Sequence, residues 1–381
     1  MPLRTRSVVD QRRLAMELVE AGMGIGEVAE RFGVSRQAVY DWKARYEEDP
    51  EAGLNDRSRR PHTSPTRTSE AIVQRVLEER KRWGFGSKKI LRRLQDSEPE
   101  VAWPPRSTID AIFKRAGVVR KRKRRRPPCA PVVARRSYED ALAGDVMTVD
   151  YKGQFRLRNG LYCYPLVIED PVSRYLLACD AYSAIDMEST WDSMVRVFWE
   201  NGMPNVMHAD NGMPFGTSLQ GPFSTISVRL MKYGIRPVFN RPAHPQDNGR
   251  LERLNRTLLD HTAIDPAHDN AGQQVLFDDF VHMYNHERPH EGIGQDRPAH
   301  HHRPSPRPFP AQVPVIEYEP HFETKIVDSR GRLTWEGERI YFSDAFANEK
   351  IGFERIDYST WRVHFASFVI GRFGDAHKLF I

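Results

Sequence analysis

At 381 residues, with 57 Lys and Arg against 51 Asp and Glu for a net charge of +6, the chain has room for two or more domains and one full-sized core. Its apolar runs are too short for a membrane-spanning helix, and its start lacks the apolar stretch of a signal peptide, so a cytoplasmic protein with no membrane partner is expected. The charge is unevenly divided: residues 1–136 hold 32 Lys and Arg against 18 Asp and Glu, a balance of +14 that leaves −8 for the rest. A basic front half argues for a polyanionic partner, held tightly at low salt because each neutralised phosphate releases counterion. Cys129, Cys163 and Cys179 have no metal-type spacing and read as ordinary core or linker residues of a reducing compartment. His290 and His300 to His302 read as a solvated loop, since no Cys or carboxylate pattern accompanies them.

In chain order, Leu14, Leu18 and Ala21 lead to Gly22, Ile25 to Phe32 forms a short helix, Gly33-Val-Ser the turn, and Arg36 to Glu47 a second helix capped by Ser35. This is a helix-turn-helix pattern. Val39, Trp42 and Tyr46 are expected inside, leaving Arg36, Gln37, Tyr40 and Lys43 to face the major groove of duplex DNA. A basic, Pro-broken junction follows, with Arg57, Arg59 and Arg60 suited to phosphates. Ile72, Val73, Val76 and Leu77, then Ile90, Leu91 and Leu94, then a Ser107-capped helix with Ile109, Ile112 and Phe113 predict a second helix-turn-helix. Its end runs into seven consecutive basic residues, Arg120, Lys121, Arg122, Lys123, Arg124, Arg125 and Arg126, which fit a DNA backbone or minor groove and carry no base code.

From Asp145 the composition changes. Val146 to Phe155, Tyr162 to Ile168 and Arg174 to Ala181 read as a three-stranded meander. A helix over Asp186 to Asn201, a strand over Asn205 to His208, a helix over Phe223 to Tyr233, a strand over Ile235 to Phe239 and two final helices complete an α/β layer fold. Asp150 and Asp210 each end a short apolar run, so each carboxylate is expected at a strand exit, the two strands being neighbours. Glu252 lies in a helix whose Leu251, Leu254 and Leu258 recur at i, i+3 and i+7. Three carboxylates from two strands and a helix suit a pair of hard divalent ions, Mg²⁺ above all, and two such ions serve in-line displacement at phosphorus. Past the Pro-rich stretch Pro304 to Pro314, six short β-like runs with Gly and Asp turns predict a small closed barrel.

Thr148-Val-Asp-Tyr-Lys-Gly, His208-Ala-Asp-Asn-Gly-Met-Pro-Phe and Arg241-Pro-Ala-His-Pro-Gln-Asp-Asn-Gly-Arg-Leu-Glu resemble the three blocks of integrase-type transposases with an Asp, Asp, Glu triad. The likeness continues through Tyr284-Asn-His-Glu-Arg-Pro-His-Glu and Arg297-Pro-Ala, and Gly53-Leu-Asn-Asp-Arg-Ser-Arg-Arg-Pro resembles a junction of the insertion-sequence 481 family. Between Asp210 and Glu252 stand 41 residues, a few more than is usual in that family; the surplus is expected in a loop over Gly216 to Thr225. The resemblance implies a ribonuclease H-like core and an SH3-like C-terminal barrel. It carries metal-binding and catalytic roles to Asp150, Asp210 and Glu252, with Mg²⁺ or Mn²⁺, two ions per site. It also suggests that Asn211, His244, Gln246, Asn248 and Arg256 position phosphate or nucleophile.

The expected architecture is therefore multidomain, with all-α helix-turn-helix modules, an α/β ribonuclease H-like core and a small β-barrel. The expected bounds are a helix-turn-helix domain over 1–52, a basic linker over 53–66, a second helix-turn-helix domain over 67–118, a basic linker over 119–140, the core over 141–303, a Pro-rich linker over 304–314 and the barrel over 315–381. The implied activity is transposition. Water cuts the element's inverted-repeat end, and the freed 3′-hydroxyl attacks a target phosphodiester, with no covalent protein intermediate. The partners are element ends and target duplex, bound by at least a dimer in the bacterial cytoplasm, at the nucleoid. The alternative is a DNA-binding repressor with a vestigial catalytic domain; the intact blocks around all three acids favour the transposase.

Overall fold

The computed structural model describes residues 7–56, 67–119, 141–216, 223–240, 249–374 and 379–380. Two compact units divide the chain, residues 1–69 and 70–381. In the first, α1 (Val8–Glu20), α2 (Ile25–Phe32) and α3 (Arg36–Glu48) enclose Ala15, Met16, Val28, Ala29 and Val39. Ser35 caps α3 as expected, its hydroxyl accepting from the Ala38 N–H at 3.2 Å. Leu54, 1% exposed, closes this core from beyond α3. The turn before it passes so near the end of α3 that a Cβ on Gly53 would lie 2.0 Å from the Arg45 carbonyl oxygen, so only glycine fits there.

The second unit begins with α4 (Glu70–Trp83), α5 (Ser87–Ser97) and α6 (Arg106–Arg115), packed around Val76, Phe85, Ile90, Leu94, Ile109, Ile112 and Phe113. Ser107 does not cap α6. The helix starts two residues earlier with Pro105 at the cap, where the proline ring already holds the φ of −62° that the cap uses. Next come β1 (Val146–Tyr151), β2 (Phe155–Arg156), β3 (Tyr162–Glu169), β4 (Leu176–Tyr182), α7 (Met187–Asn201), β5 (Val206–Ala209), α8 (Thr225–Lys232) and β6 (Arg236–Phe239). Helices α9 (Gly249–Thr262), α10 (Asn270–His282) and the short α11 (Pro298–His301) follow. The main sheet runs β4–β3–β1–β5–β6, with β2 paired to the start of β3. Strands β1, β3 and β4 form the antiparallel meander, and β5 and β6 join parallel to β1.

Side chains of the sheet alternate between two cores, because successive residues of a strand point to opposite faces. Val149, Leu166 and Ile168 pack with Met194, Val197, Phe198, Ile226 and Leu230 of α7 and α8. Cys163, Val167, Leu176 and Cys179 pack with Leu251, Leu254 and Leu258 of α9 and Phe277 and Phe280 of α10. The leucine stripe of α9 thus holds the Glu252 helix against the sheet. Burial of such a side chain is worth about 1.5–3 kcal/mol each.

The three-helix module docks onto this α/β domain. Arg93 reaches both the carboxylate and the carbonyl of Glu287, Lys88 meets Glu291, and Arg297 meets Asp96 at 2.9 Å. Met283 packs into the module's apolar core. The Pro-rich stretch is likewise ordered against the domain. Arg307 donates to the carbonyls of Pro204 (2.7 Å), Tyr233 (3.0 Å) and Gly234 (3.1 Å), while Phe309 stacks on Tyr233 with ring centres 4.8 Å apart.

Beyond it lie β7 (Glu323–Ile326), β8 (Arg332–Trp335), β9 (Glu338–Tyr341), β10 (Lys350–Arg355), β11 (Trp361–Phe365), β12 (Phe368–Phe373) and β13 (Leu379–Phe380). The expected closed barrel is not found. Among the described residues the strands form an open sheet, β13–β12–β11–β10–β7, with β8 and β9 as a separate hairpin. The apolar face that closure would hide is covered otherwise. Trp335 of the hairpin lies 4.8 Å from the ring centres of Phe353, Trp361 and Phe373, and Val228 and Met231 of α8 join the same core.

Candidate active site

Asp150 is the fifth residue of β1, and Asp210 follows the last residue of β5. Thr148 pairs with His208 across the parallel ladder, so two residues further on the carboxylates face each other at the carboxyl ends of adjacent strands. In open α/β sheets that edge is where ligands bind. Both groups are half-buried. Burial first, then the negative charge of Asp210, pushes the Asp150 carboxyl up to about 7, against the opposing pull of the Asn255 amide and Lys152. Asp210 is also raised by burial, although the Gly212 N–H donates to its Oδ1 at 3.0 Å. A Cβ at Gly212 would stand 3.1 Å from Asp210 Oδ2, so a larger residue would crowd the carboxylate.

Glu252 stands in the first turn of α9, exposed, with its charge felt by Asp150. The structure brings the two aspartates together and sets Glu252 at the rim. Among the described residues no three His, Cys, Asp or Glu side chains are gathered as a ready-made metal cage. Arg256, exposed, lies one turn beyond Glu252 on the same helix. Asn211 donates to the Asn240 carbonyl at 2.7 Å and so ties the exit of β5 to that of β6. His244, Gln246 and Asn248 lie outside the described residues.

Asn255 was not singled out by sequence reading. It is 3% exposed, and its Nδ2 donates to Asp150 Oδ2 at 2.9 Å, while its Oδ1 is buried without a partner. The signal was present: Asn255 falls three residues after Glu252 and beside Leu251, Leu254 and Leu258, a polar residue on an otherwise apolar stripe. Asn285 ties a helical segment to the sheet in a comparable way after α10. Within the π-helical turn Met283–Glu287 it exchanges hydrogen bonds with the Leu176 backbone, at 2.8 and 2.9 Å, and pins that turn to β4.

The histidines expected in a solvated loop are held in place. His290 packs edge-on against Tyr284, His302 stacks on Tyr175 at 4.1 Å, and His300 and His301 both meet the Asp296 carboxylate. Cys163 and Cys179 are buried core residues, as expected. On α3, Val39 is fully buried and Trp42 and Tyr46 pack against the core, while Arg36, Gln37 and Tyr40 are exposed and Lys43 is half-exposed. Gln37 is bonded to Asp41 and Lys43 to Glu47 along the helix surface. Arg57, Arg59, Arg60 and Arg120 to Arg126 lie outside the described residues, as does most of the loop expected to hold the surplus before Glu252.

Two family profiles described as an integrase core domain match residues 140–245 and 233–298. A helix-turn-helix domain profile matches residues 11–62, and a homeodomain-like domain profile matches 38–113. Solved structures give fainter likenesses. The HTLV-2 integrase catalytic core domain in complex with magnesium is 15% identical, with a TM-score of 0.31 over 43% of this chain and 99% of that one. A simian T-cell lymphotropic virus intasome in complex with PP2A regulatory subunit B56 gamma is 14% identical, with a TM-score of 0.36 over 75% and 91%. The catalytic core domain of BIV integrase is 18% identical, with a TM-score of 0.31 over 41% and 92%. The chain carries an integrase core domain preceded by helix-turn-helix and homeodomain-like regions.

Proposed function

We propose that this chain is a DNA transposase of the insertion-sequence 481 type, which binds the inverted-repeat ends of its element and carries out metal-dependent strand cleavage and strand transfer. The reading is carried by the meeting of Asp150 and Asp210 at the exits of two adjacent parallel strands, with Asn255 reaching Asp150 from the helix that bears Glu252. Two half-buried carboxylates that repel each other make a strongly anionic cleft, and hard oxygen donors of this kind suit Mg²⁺ or Mn²⁺. Asp150, Asp210 and Glu252 would hold the metal, two ions in our reading. Bound there, divalent ions stabilise the attacking and leaving oxygens of an in-line displacement at phosphorus.

The chain's own residues do the positioning. Asn255 fixes the orientation of Asp150, the Gly212 N–H fixes that of Asp210, and the exposed Arg256, one turn beyond Glu252, would meet a phosphate there. On the separate first unit, Arg36, Gln37, Tyr40 and Lys43 of α3 would read the element's ends. Arg57, Arg59, Arg60 and Arg120 to Arg126 would add affinity that is blind to sequence. Two ends must be cut in concert and one site serves one strand, so at least two copies assemble on DNA. The test is to incubate the protein with labelled duplexes from the DNA flanking its own gene, in Mg²⁺ or Mn²⁺. Nicking at the element end followed by strand joining is expected; end binding with no cleavage under any divalent ion would leave a repressor instead.

A further inference from the structure

We propose that Lys89 and Arg288 form a phosphate-binding cleft where the α4–α6 module meets the integrase core domain, and that its occupant is a backbone phosphate of duplex DNA on its way to the active site. The inference rests on the reading that the chain binds DNA. Lys89 Nζ and the Arg288 guanidinium stand over one ring, Phe85, at 5.8 and 5.5 Å from its centre. Arg288 also stands over Tyr284 at 5.9 Å, and its Nε is buried without a partner. Both side chains keep a solvent-accessible part.

The neighbouring charges are already matched. Arg93 is engaged by Glu79 and Glu287, Lys88 by Glu291, and Arg297 by Asp96. Among the described residues neither Lys89 nor Arg288 forms an ion pair. Burial and then Arg288 pull the Lys89 ammonium down to about 7 against the opposing charge of Glu291, and His290 is held neutral, lowered to about 3 by burial and then by Lys89 and Arg288. Two cations drawn together and partly withdrawn from water carry a large uncompensated cost. An anion shared between them offsets it, and a guanidinium fork beside an ammonium suits a phosphodiester.

The location gives the cleft a use. Arg288 Nη2 lies 3.4 Å from Thr257 Oγ1, and Thr257 follows Glu252 on α9 by five residues, about 7–8 Å along the helix axis. On the other side, Arg106 at the start of α6 is close enough to act on Glu291. A duplex gripped by the module would pass this junction before reaching Glu252.

The full chain tests it. Binding to a random-sequence duplex is followed by fluorescence anisotropy as salt is raised, with melting temperature checked for each variant. One neutralised phosphate contributes about 0.9 to the log–log salt slope, so Lys89→Gln combined with Arg288→Gln should flatten the slope by about that amount, and each substitution alone by a measurable part of it. Arg288→Lys should restore most of it, and Lys81→Gln, on an exposed turn of α4, should change nothing. Should Arg288→Gln fail to fold, Lys89→Gln decides alone. Amine acylation provides the second readout: duplex should protect Lys89 and not Lys81. Protection by inorganic phosphate at the same phosphate concentration would overturn the DNA assignment in favour of a free-anion site. A folded Lys89→Gln protein with the parent slope overturns the cleft. If the parent fails to bind duplex at all, the DNA-binding reading falls and the cleft with it, whereas parental binding with unchanged slopes removes only the cleft.

Discussion

Asn255 donates its side-chain amide to Asp150 at 2.9 Å, so the helix that carries Glu252 is tied to the strand that carries the first aspartate by one hydrogen bond inside the site. Its other polar atom, Oδ1, is buried with no partner. A buried acceptor left unsatisfied costs about 1–3 kcal/mol, so the residue is kept against a stability cost. Asn255→Ala should lower strand cleavage by roughly 10–100-fold, the usual loss on removing a group that orients a ligand, while leaving DNA binding within about twofold. Asn255→Asp should be worse than Ala, because it adds a fourth carboxylate where Asp150 and Asp210 already repel. Cleavage at the parental rate by either protein, measured on a labelled end, would remove Asn255 from the site.

Asp150→Asn, Asp210→Asn and Glu252→Gln should each abolish cleavage and joining. They should differ in stability. Asp150 is half-buried and raised by burial and by the charge of Asp210, so Asp150→Asn should stabilise the metal-free protein at pH 8 by on the order of 1–3 kcal/mol; Asp210→Asn should act in the same direction, and exposed Glu252→Gln should give no gain. Chemical denaturation in chelator checks this, and equal effects at all three positions would contradict the burial difference.

Glu169, 2% exposed at the end of β3, is pushed up to about 7 by burial, against the pull of Arg174, Arg250 and Arg253 and with help from Asp170. The folded state therefore holds a proton that the unfolded chain has released above about 4.5. Stability should fall as pH rises from about 4.5 to about 7 and then level off for this group. Glu169→Gln should flatten that fall, and melting curves collected across the window would show it. A parallel pH dependence in both proteins would mean that Glu169 ionises normally.

Arg307 joins the Pro-rich stretch to three carbonyls and to Asn205 Oδ1. Hydrogen bonds from a charged donor contribute about 1.5–3 kcal/mol each at most, and not additively, so Arg307→Ala should cost about 2–4 kcal/mol of stability. Phe309→Ala should act in the same direction through Tyr233, Trp199 and Phe198. Proteolysis provides an independent measure: cleavage between residues 302 and 314 should accelerate in both variants.

Assembly is tested by mixing a subunit carrying Asp210→Asn with one lacking residues 1–69. Truncation at 69 leaves intact the contacts of Arg93, Lys88 and Asp96 with the α/β domain, which a deletion to residue 118 would strip away. Recovered cleavage in the mixture is expected if one subunit grips an end while its partner cuts it. Silence from a demonstrably mixed assembly would favour cleavage by the gripping subunit.

Local sequence rules were enough for the helix-turn-helix, the meander and the placing of Asp150 and Asp210, because each follows from a short-range signal: a capping Ser35, a period of two in the strands, a carboxylate at the end of an apolar run. The face of α9 was equally legible from Leu251, Leu254 and Leu258. What the tertiary structure decided are contacts between residues far apart in the chain. A polar residue on an apolar stripe marks Asn255 as unusual but does not name its partner, a residue 105 positions away, nor does the spacing of the C-terminal strands reveal that Trp335 and α8 cover the face that a closed barrel would have buried. The Pro-rich stretch has the composition of a free joint and is nevertheless fastened, since Arg307 finds carbonyls that only the folded domain brings together. Periodicity and capping act within a few residues, whereas packing and long-range hydrogen bonds depend on which surfaces the chain has already closed against each other.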